Sequence, residues 1–171
     1  MAKITFILGG ARSGKSSYAL ELAEKYKQVA FIATCKALDK EMEQRIKLHQ
    51  KSRPKHWQTL EEDKDIICAL KKAGNKFDCI IIDCLTLLIS NLLLNGCAQE
   101  FIEDKINKSI LHLKKLKGRV IIVSNEVGLG IVPNNKLARD FRDIAGKINQ
   151  IVAKNSTEVF FMVSGIPVKV K

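Results

Sequence analysis

Short continuous apolar runs recur along the chain, and polar stretches with helical spacing lie between them. A run of this length without alternation is typical of a strand that is buried on both faces, as in a parallel sheet. Residues 164–170, at the end of this series, predict a closing strand. The other runs predict strands over residues 4–8, 29–34, 77–83, 119–126 and 158–163.

Helical periodicity fills the segments between the predicted strands. Arg53-Pro54 ends one such segment, because a residue before proline is pushed out of the helical region, and Trp57 and Thr59 lie in the connection that follows. Strands that alternate with helices predict an α/β fold: a doubly wound, mostly parallel sheet in three layers, formed by one domain over residues 1–171. The predicted helices cover residues 17–23, 39–51, 61–73, 85–95 and 98–117, and Pro133-Asn134-Asn135 introduces a last one with Leu137, Phe141, Ile144, Ile148 and Ile151 on one face.

The segment from Leu85 to Leu94 is apolar nearly all round. Polar residues interrupt it at Thr86, Ser90 and Asn91, so it is too short and too broken to span a bilayer. Two interpretations remain open, a helix buried within the domain or a helix at a subunit contact.

Composition and charge narrow the class of protein. A chain of 171 residues with 46% hydrophobic and 27% charged residues is ordinary for one globular domain. The apolar run before the first glycines is too short for a signal peptide, so we expect a cytoplasmic protein without a membrane span. Five cysteines without a C-x-x-C pattern suggest neither a disulfide framework nor a zinc site.

The net charge of +11 raises the question of a nucleic-acid partner. The lysines are scattered, with no basic run longer than two and no interleaved aromatic residues. This pattern favours a solvated surface that attracts anionic substrates, and we expect no nucleic acid.

A glycine-rich motif lies between the first predicted strand and the first predicted helix. In the pattern G-x-x-x-x-G-K-S, backbone amides and the helix N-terminus surround a polyphosphate. Lys15 reaches the β- and γ-phosphates and is a candidate catalytic residue, while Ser16 is a candidate Mg²⁺ ligand. The predicted phosphate-binding residues are Gly9, Gly10, Ala11, Arg12, Ser13, Gly14, Lys15 and Ser16. The motif makes the predicted fold P-loop NTPase-like.

The third predicted strand ends in a carboxylate, Asp83. In P-loop enzymes an acidic residue at this position helps to hold Mg²⁺ and its waters beside the phosphates. Asp83 is therefore the second candidate for the Mg²⁺ site.

Three histidines are candidate nucleophiles. His112 lies in a helical pattern and is interpreted as structural, while His56 adjoins Trp57 in a loop. His49 shares a predicted helix face with Arg45, so its imidazole could attack a phosphorus whose charge the arginine offsets. From the residues alone, the alternative that His49 is a solvated histidine on the helix surface remains open. For Arg139 and Arg142, two interpretations also remain open, surface ion pairs and anion binding.

Several motifs in a fixed order carry a family resemblance. They are Gly9 to Ser16, Ile32-Ala33-Thr34, Asp39 to Met42, the pattern Arg45-Ile46-x-x-His49-x-x-x-Arg53-Pro54-x-x-Trp57-x-Thr59-x-Glu61, Ser124 to Pro133, Leu137 to Gln150 and Val163 to Ile166. Together they resemble the bifunctional adenosylcobinamide kinase/adenosylcobinamide-phosphate guanylyltransferase family of cobalamin assembly. The resemblance runs from the first strand to the C-terminus, and residues 124–150 are its most specific part.

The resemblance implies two reactions. ATP or GTP phosphorylates adenosylcobinamide, and GTP then transfers GMP to that phosphate through a guanylylated histidine, which falls on His49. The family also implies a homotrimer. Cys35 stands where a hydroxyl residue is expected, and Asp83 where some relatives carry Glu. Beyond the glycine-rich motif, the implied nucleotide contacts are Ala33, Thr34, Cys35, Gln50, Lys51, Ser52, Arg53, Glu61 and Asp83.

Two other functions compete with this interpretation. A monofunctional P-loop small-molecule kinase would use the same loop without a covalent histidine. A nucleotide-dependent switch or binding module would associate with a macromolecule without turning over cobinamide, and the missing basic cluster argues against its nucleic-acid form.

Overall fold

A computed structural model describes residues 1–36, 40, 43, 44, 46, 50 and 53–171. The helix predicted over residues 39–51 falls largely outside these residues, although 40, 43, 44, 46 and 50 have helical backbone. The strands are β1 (Lys3–Gly9), β2 (Val29–Ala33), β3 (Gln58–Glu61), β4 (Cys79–Asp83), β5 (Arg119–Val123), β6 (Glu158–Val163) and β7 (Ile166–Lys169). The helices are α1 (Lys15–Ala23), α2 (Ile66–Ala73), α3 (Leu85–Leu94), α4 (Gln99–Lys115) and α5 (Lys136–Asn155).

Within the described part of the chain, these strands form one sheet in the order β3-β2-β4-β5-β1-β6-β7. Neighbouring strands are parallel except at one edge, where β7 runs antiparallel to β6. The mostly parallel, doubly wound sheet and the closing strand are thus confirmed. Strand β1 lies between β5 and β6, and its carboxyl end leads directly into the glycine-rich loop.

Helices cover both faces of the sheet. On one face, α2, α3, α4 and α5 bury residues such as Leu70, Leu88, Ile106 and Ile148 against the strands. On the other face, α1 packs through Ala19 and Ala23, together with Trp57, against a second cluster. The hydrophobic strands are buried from both sides, which explains their continuous apolar runs.

Helix α3 lies inside the domain. Its apolar side chains at Leu85, Leu88, Ile89 and Leu92 are buried within the single chain. The interpretation of this segment as a buried helix is therefore confirmed for those residues, while Leu94, near its end, is 60% exposed. No helix in the described residues is both long and apolar enough to cross a membrane.

The structure differs from the predicted elements in several places. The strand predicted over residues 119–126 ends at Val123. The larger differences are a missed strand and the start of one helix. Residues Gln58–Glu61 form the edge strand β3, which the sequence had assigned to a connection and to the start of a helix. The helix begins only at Ile66, where the Asp65 carboxylate accepts a hydrogen bond from the Ile67 amide at 3.1 Å. Strand β3 has a single, half-buried apolar residue, Leu60, so it lacks the buried run that marks the inner strands.

Candidate active site

The glycine-rich loop connects β1 to α1 at the carboxyl edge of the sheet. Gly14 precedes the first helical residue with a left-handed φ of 91°, and Arg12 has a φ of 57°. The Tyr18 amide donates to the Gly14 carbonyl at 2.9 Å, which closes the first helical turn. The free amides at the start of α1 therefore face the site where a phosphate would bind.

The turn between β6 and β7 packs against this loop. The Gly165 amide donates a hydrogen bond to the Ser13 carbonyl at 3.0 Å. A Cβ atom on Gly14 would lie 3.1 Å from the Gly165 Cα, so a side chain at Gly14 would be hindered by both its φ and this contact. The loop conformation thus depends on residues from the other end of the chain.

Lys15 is buried, with 7% of its surface exposed. Its Nζ donates to the Gly10 carbonyl and to Ser13 Oγ, the latter at 3.4 Å. Burial lowers the pKa of Lys15, and neighbouring Cys84 and Asp83 act in the opposite direction. The ammonium group is therefore held inside the loop by neutral polar acceptors that a phosphate could replace.

Ser16 and Asp83 lie on the same cleft as Lys15. Ser16 is the second residue of α1, and Asp83 ends β4. A hydroxyl and one carboxylate fit Mg²⁺, which usually takes few protein ligands and completes its shell with phosphate and water oxygens. Among the described residues there is no cluster of three or more His, Cys, Asp or Glu residues that could hold a metal ion.

The cleft has a volume of about 1420 Å³ and brings together most of the predicted site. The predicted residues that line it are Ala11, Arg12, Ser13, Gly14, Lys15, Ser16, Ala33, Cys35, Gln50, Arg53, Glu61 and Asp83. Gly9, Gly10 and Thr34 are not among the lining residues, whereas His49, Lys51 and Ser52 lie outside the described residues.

Thr34 is fully buried beside the cleft. Its hydroxyl donates to the Cys84 carbonyl at 2.6 Å and accepts from the Cys84 amide at 2.8 Å. Its side chain thus ties the end of β2 to the residue that follows Asp83. This role positions the carboxylate and was not foreseen from the sequence.

The role of Asn91 was missed by the sequence interpretation, which noted it only as a polar interruption of an apolar segment. Its Nδ2 donates to the carbonyls of Thr34, at 2.9 Å, and Asp63, at 3.0 Å. One amide on α3 thereby fixes the segments that follow β2 and β3 on the cleft wall. The available signal was a polar residue inside an otherwise apolar helix.

Arg53 forms part of the opposite wall. Its guanidinium lies 3.6 Å from the centre of the Phe31 ring, and Nη1 donates to Thr59 Oγ1 at 3.4 Å. Burial lowers the pKa of Arg53, and Asp83 and Glu61 act against that change. Gln50 Nε2 donates to Glu61 Oε1 at 3.4 Å. The wall therefore offers a cation and an amide beside the phosphate loop.

The cleft also contains the Cys35 thiol, and burial raises its pKa. Cys35 is thus a neutral group at ordinary pH.

The contacts of the α5 arginines favour structural roles. Arg139 Nη1 donates to the carbonyls of Pro133, at 3.0 Å, and Asn134, at 2.6 Å. Arg142 Nε lies 3.6 Å from an Asp143 carboxylate oxygen. These contacts support the surface ion-pair interpretation for Arg142 and a loop-fastening role for Arg139.

Comparison with solved structures supports the fold. The chain is similar to an ATPase from a bacterial type III secretion system, with a TM-score of 0.60 and 9% identity, over 93% of this chain and 50% of that one. It also resembles a KaiC-like protein from Pyrococcus horikoshii, with a TM-score of 0.50 and 13% identity, over 93% and 70% of the two chains. The chain spans half the length of that ATPase, and at these identities the likeness concerns the fold alone.

Comparison of sequences identifies the family. A Salmonella typhimurium protein named bifunctional adenosylcobalamin biosynthesis protein is 41% identical to this chain, over 96% of this chain and 98% of that protein. A Pseudomonas aeruginosa protein of the same name is 44% identical, over 96% of this chain and 95% of that protein. An Escherichia coli protein of the same name is 38% identical over 96% and 98%. The model of one family, described as cobinamide kinase / cobinamide phosphate guanyltransferase, matches residues 5–170. The chain therefore belongs to the cobinamide kinase / cobinamide phosphate guanyltransferase family.

Proposed function

We propose that this chain phosphorylates adenosylcobinamide with ATP or GTP and then transfers GMP from GTP to the new phosphate. The products of the second step are adenosylcobinamide-GDP and pyrophosphate. The family match over residues 5–170 carries this proposal, and the cleft that joins the P-loop to Asp83 supports it.

The kinase step depends on the P-loop. The acceptor hydroxyl of adenosylcobinamide attacks the γ-phosphorus, and the bond to the nucleoside diphosphate breaks. Lys15 and the amides at the start of α1 offset negative charge on the phosphates as the bonds change. Ser16 and Asp83 would hold Mg²⁺, which supplies further neutralisation of phosphate charge.

The guanylyl transfer uses His49 as the nucleophile. A neutral imidazole nitrogen attacks the α-phosphorus of GTP, a P–N bond forms, and pyrophosphate leaves. A phosphate oxygen of adenosylcobinamide phosphate then attacks the same phosphorus, and the P–N bond breaks. This role rests on the motif around His49; Gln50 and Arg53, which follow it in the chain, both line the cleft.

Labelling with α-labelled GTP tests the covalent step. The wild-type protein should acquire label that is lost in acid and kept in alkali, as expected for a phosphoramidate. The His49→Ala variant should acquire less than a hundredth of that label. Adenosylcobinamide phosphate should then remove the label from the wild-type protein.

The His56→Ala variant is the matched control, because His56 is exposed and contacts the Trp57 ring edge-on with centroids 6.5 Å apart. It should label like the wild type. Full labelling of His49→Ala would refute the role of His49. An unlabelled wild type that still phosphorylates cobinamide would instead identify a monofunctional kinase.

We further propose that the protein works in the cytoplasm as a homotrimer. The family resemblance supports this assembly. The edge strand β7 offers a surface for such a contact, since Ile166 and Val168 are 66% and 46% exposed.

A further inference from the structure

The loop between β5 and α5, residues 124–135, exposes large apolar side chains. Leu129 is 79% exposed, Ile131 96% and Val132 56%. Leu137, in the first turn of α5, is 51% exposed and extends the same apolar segment. Several large aliphatic residues exposed on one short segment suggest a binding surface.

The base of this loop is bonded to the phosphate site. The Glu126 amide donates to the Gly9 carbonyl at 3.0 Å, so the loop leaves the sheet beside the first P-loop residue. Asn125 lines the cleft, its amide donates to Thr86 Oγ1 at 2.7 Å, and its carbonyl accepts from Asn149 Nδ2 at 3.1 Å. Ile131 is five residues beyond Glu126 and hence at most about 18 Å from it.

Both ends of the apolar segment are fastened. Glu126 Oε1 accepts from the Gly128 amide at 2.8 Å, and Arg139 holds the carbonyls of Pro133 and Asn134. The exposed side chains therefore lie on a short span whose ends are fixed, which reduces the ordering cost of binding a ligand there.

The opposite rim of the cleft has a different character. It is formed by Lys36 and by the charged run Glu61, Glu62, Asp63 and Lys64. These charged residues line the cleft itself, whereas Leu129, Ile131 and Val132 lie a few residues beyond Asn125, the residue of the β5–α5 loop that lines it.

Adenosylcobinamide, the acceptor substrate, needs both a polar surface and an apolar surface. Its hydroxyl arm must reach the phosphate beside Lys15, whereas its corrin macrocycle, rimmed by methyl and amide groups, is too bulky to enter the loop. We propose that Leu129, Ile131 and Val132 form the surface that binds the apolar part of the corrin macrocycle. This inference rests on the proposed function and assigns the acceptor-binding side of the same site.

Steady-state kinetics of a Leu129→Ser/Ile131→Ser double variant test the assignment. The KM for adenosylcobinamide in the kinase reaction should rise about tenfold or more, because two aliphatic contacts are lost. The kcat and the KM for the nucleotide should stay within about twofold of the wild-type values, since these contacts bind ground and transition states alike. The single Ile131→Ser variant should show about a threefold rise in the acceptor KM.

Leu111→Ser is the matched control, because Leu111 is an equally large aliphatic residue, 60% exposed, that lies on α4 rather than in the loop between β5 and α5. It should leave both KM values unchanged.

The assignment is overturned if the acceptor KM of the double variant is unchanged, or if the nucleotide KM rises equally. It is also overturned if light scattering shows a loss of subunits, which would make the loop a contact between copies. A wild-type protein unable to phosphorylate adenosylcobinamide would overturn the proposed function as well, whereas an active wild type with an unaffected variant overturns this inference alone.

Discussion

Lys15 is the residue to which we assign the central role in the proposed phosphate chemistry. Its ammonium group is buried against the Gly10 carbonyl and Ser13 Oγ, and burial lowers its pKa. These neutral acceptors compensate the charge less well than a polyphosphate would. Nucleotide binding should therefore strengthen the interactions of Lys15.

Replacing Lys15 by methionine tests this role at the residue scale. Lys15→Met keeps most of the buried aliphatic volume but removes the charge, so kcat/KM for cobinamide phosphorylation should fall by about 100-fold or more. Thermal unfolding should show a folded protein. Lys25→Met, at an exposed position, should retain full activity. Undiminished activity of Lys15→Met would contradict the assigned role.

At the scale of elements, Glu158 joins three strands through its carboxylate. Lys3 Nζ on β1 lies 3.0 Å from Oε1, and Arg119 Nη2 on β5 lies 2.7 Å from Oε2. The hydrogen bond from Lys3 holds the pKa of Glu158 below its ordinary value of 4.5, with Arg119 and Lys169 adding to the effect. The ionised carboxylate therefore stabilises the folded sheet.

The difference in stability between the wild type and a Glu158→Gln variant should depend on pH in a defined way. A pKa that is lower in the folded state gives stability that is present above about pH 4.5 and is lost as the pH falls through the folded-state value. At pH 7 the variant should lose about 1–2 kcal/mol in the free energy of unfolding. The difference from the wild type should shrink below pH 4.

Urea titrations at several pH values measure this difference. Glu24→Gln, on the exposed end of α1, serves as the control and should unfold like the wild type across the range. A difference for Glu158→Gln that is independent of pH would show that packing, rather than the charge, makes the contribution.

Strands were predicted correctly where their burial leaves a continuous run of apolar residues in the sequence. The inner strands, such as Cys79–Asp83 and Arg119–Val123, are covered on both faces and so were visible as apolar runs. Strand β3 was missed because an exposed edge strand needs no such run. The local motifs at Lys15 and Asp83 were visible for a different reason, since phosphate and Mg²⁺ chemistry restricts residue type at fixed places.

At the scale of the whole molecule, the site depends on strand order, which a single sequence does not contain. Residues that follow β1, β2, β3, β4 and β5 meet at one edge of the sheet because these strands are parallel. The contacts of Asn91 with Thr34 and Asp63 cross 57 and 28 residues of chain and follow from packing alone. Family resemblance, rather than periodicity, predicted that Arg53 and Glu61 belong to the cleft.

The proposed assembly is tested on the intact protein. Light scattering in solution should give a mass close to three times the 19.1 kDa of one chain. The Val168→Lys variant, which places a charge on the exposed face of β7, should lower that mass if β7 forms the contact. Leu111→Lys on α4 is the control and should keep the mass of the wild type. A monomeric mass for the wild type would contradict the homotrimer.

The contact between the Gly165 amide and the Ser13 carbonyl has a consequence for synthesis on the ribosome. The glycine-rich loop is translated before residues 119–123 and 158–165, which supply the partners of β1 and the turn that supports the loop. The phosphate site therefore cannot reach its final geometry while the nascent chain is still emerging. Nucleotide should therefore be unable to bind productively until translation has passed residue 165.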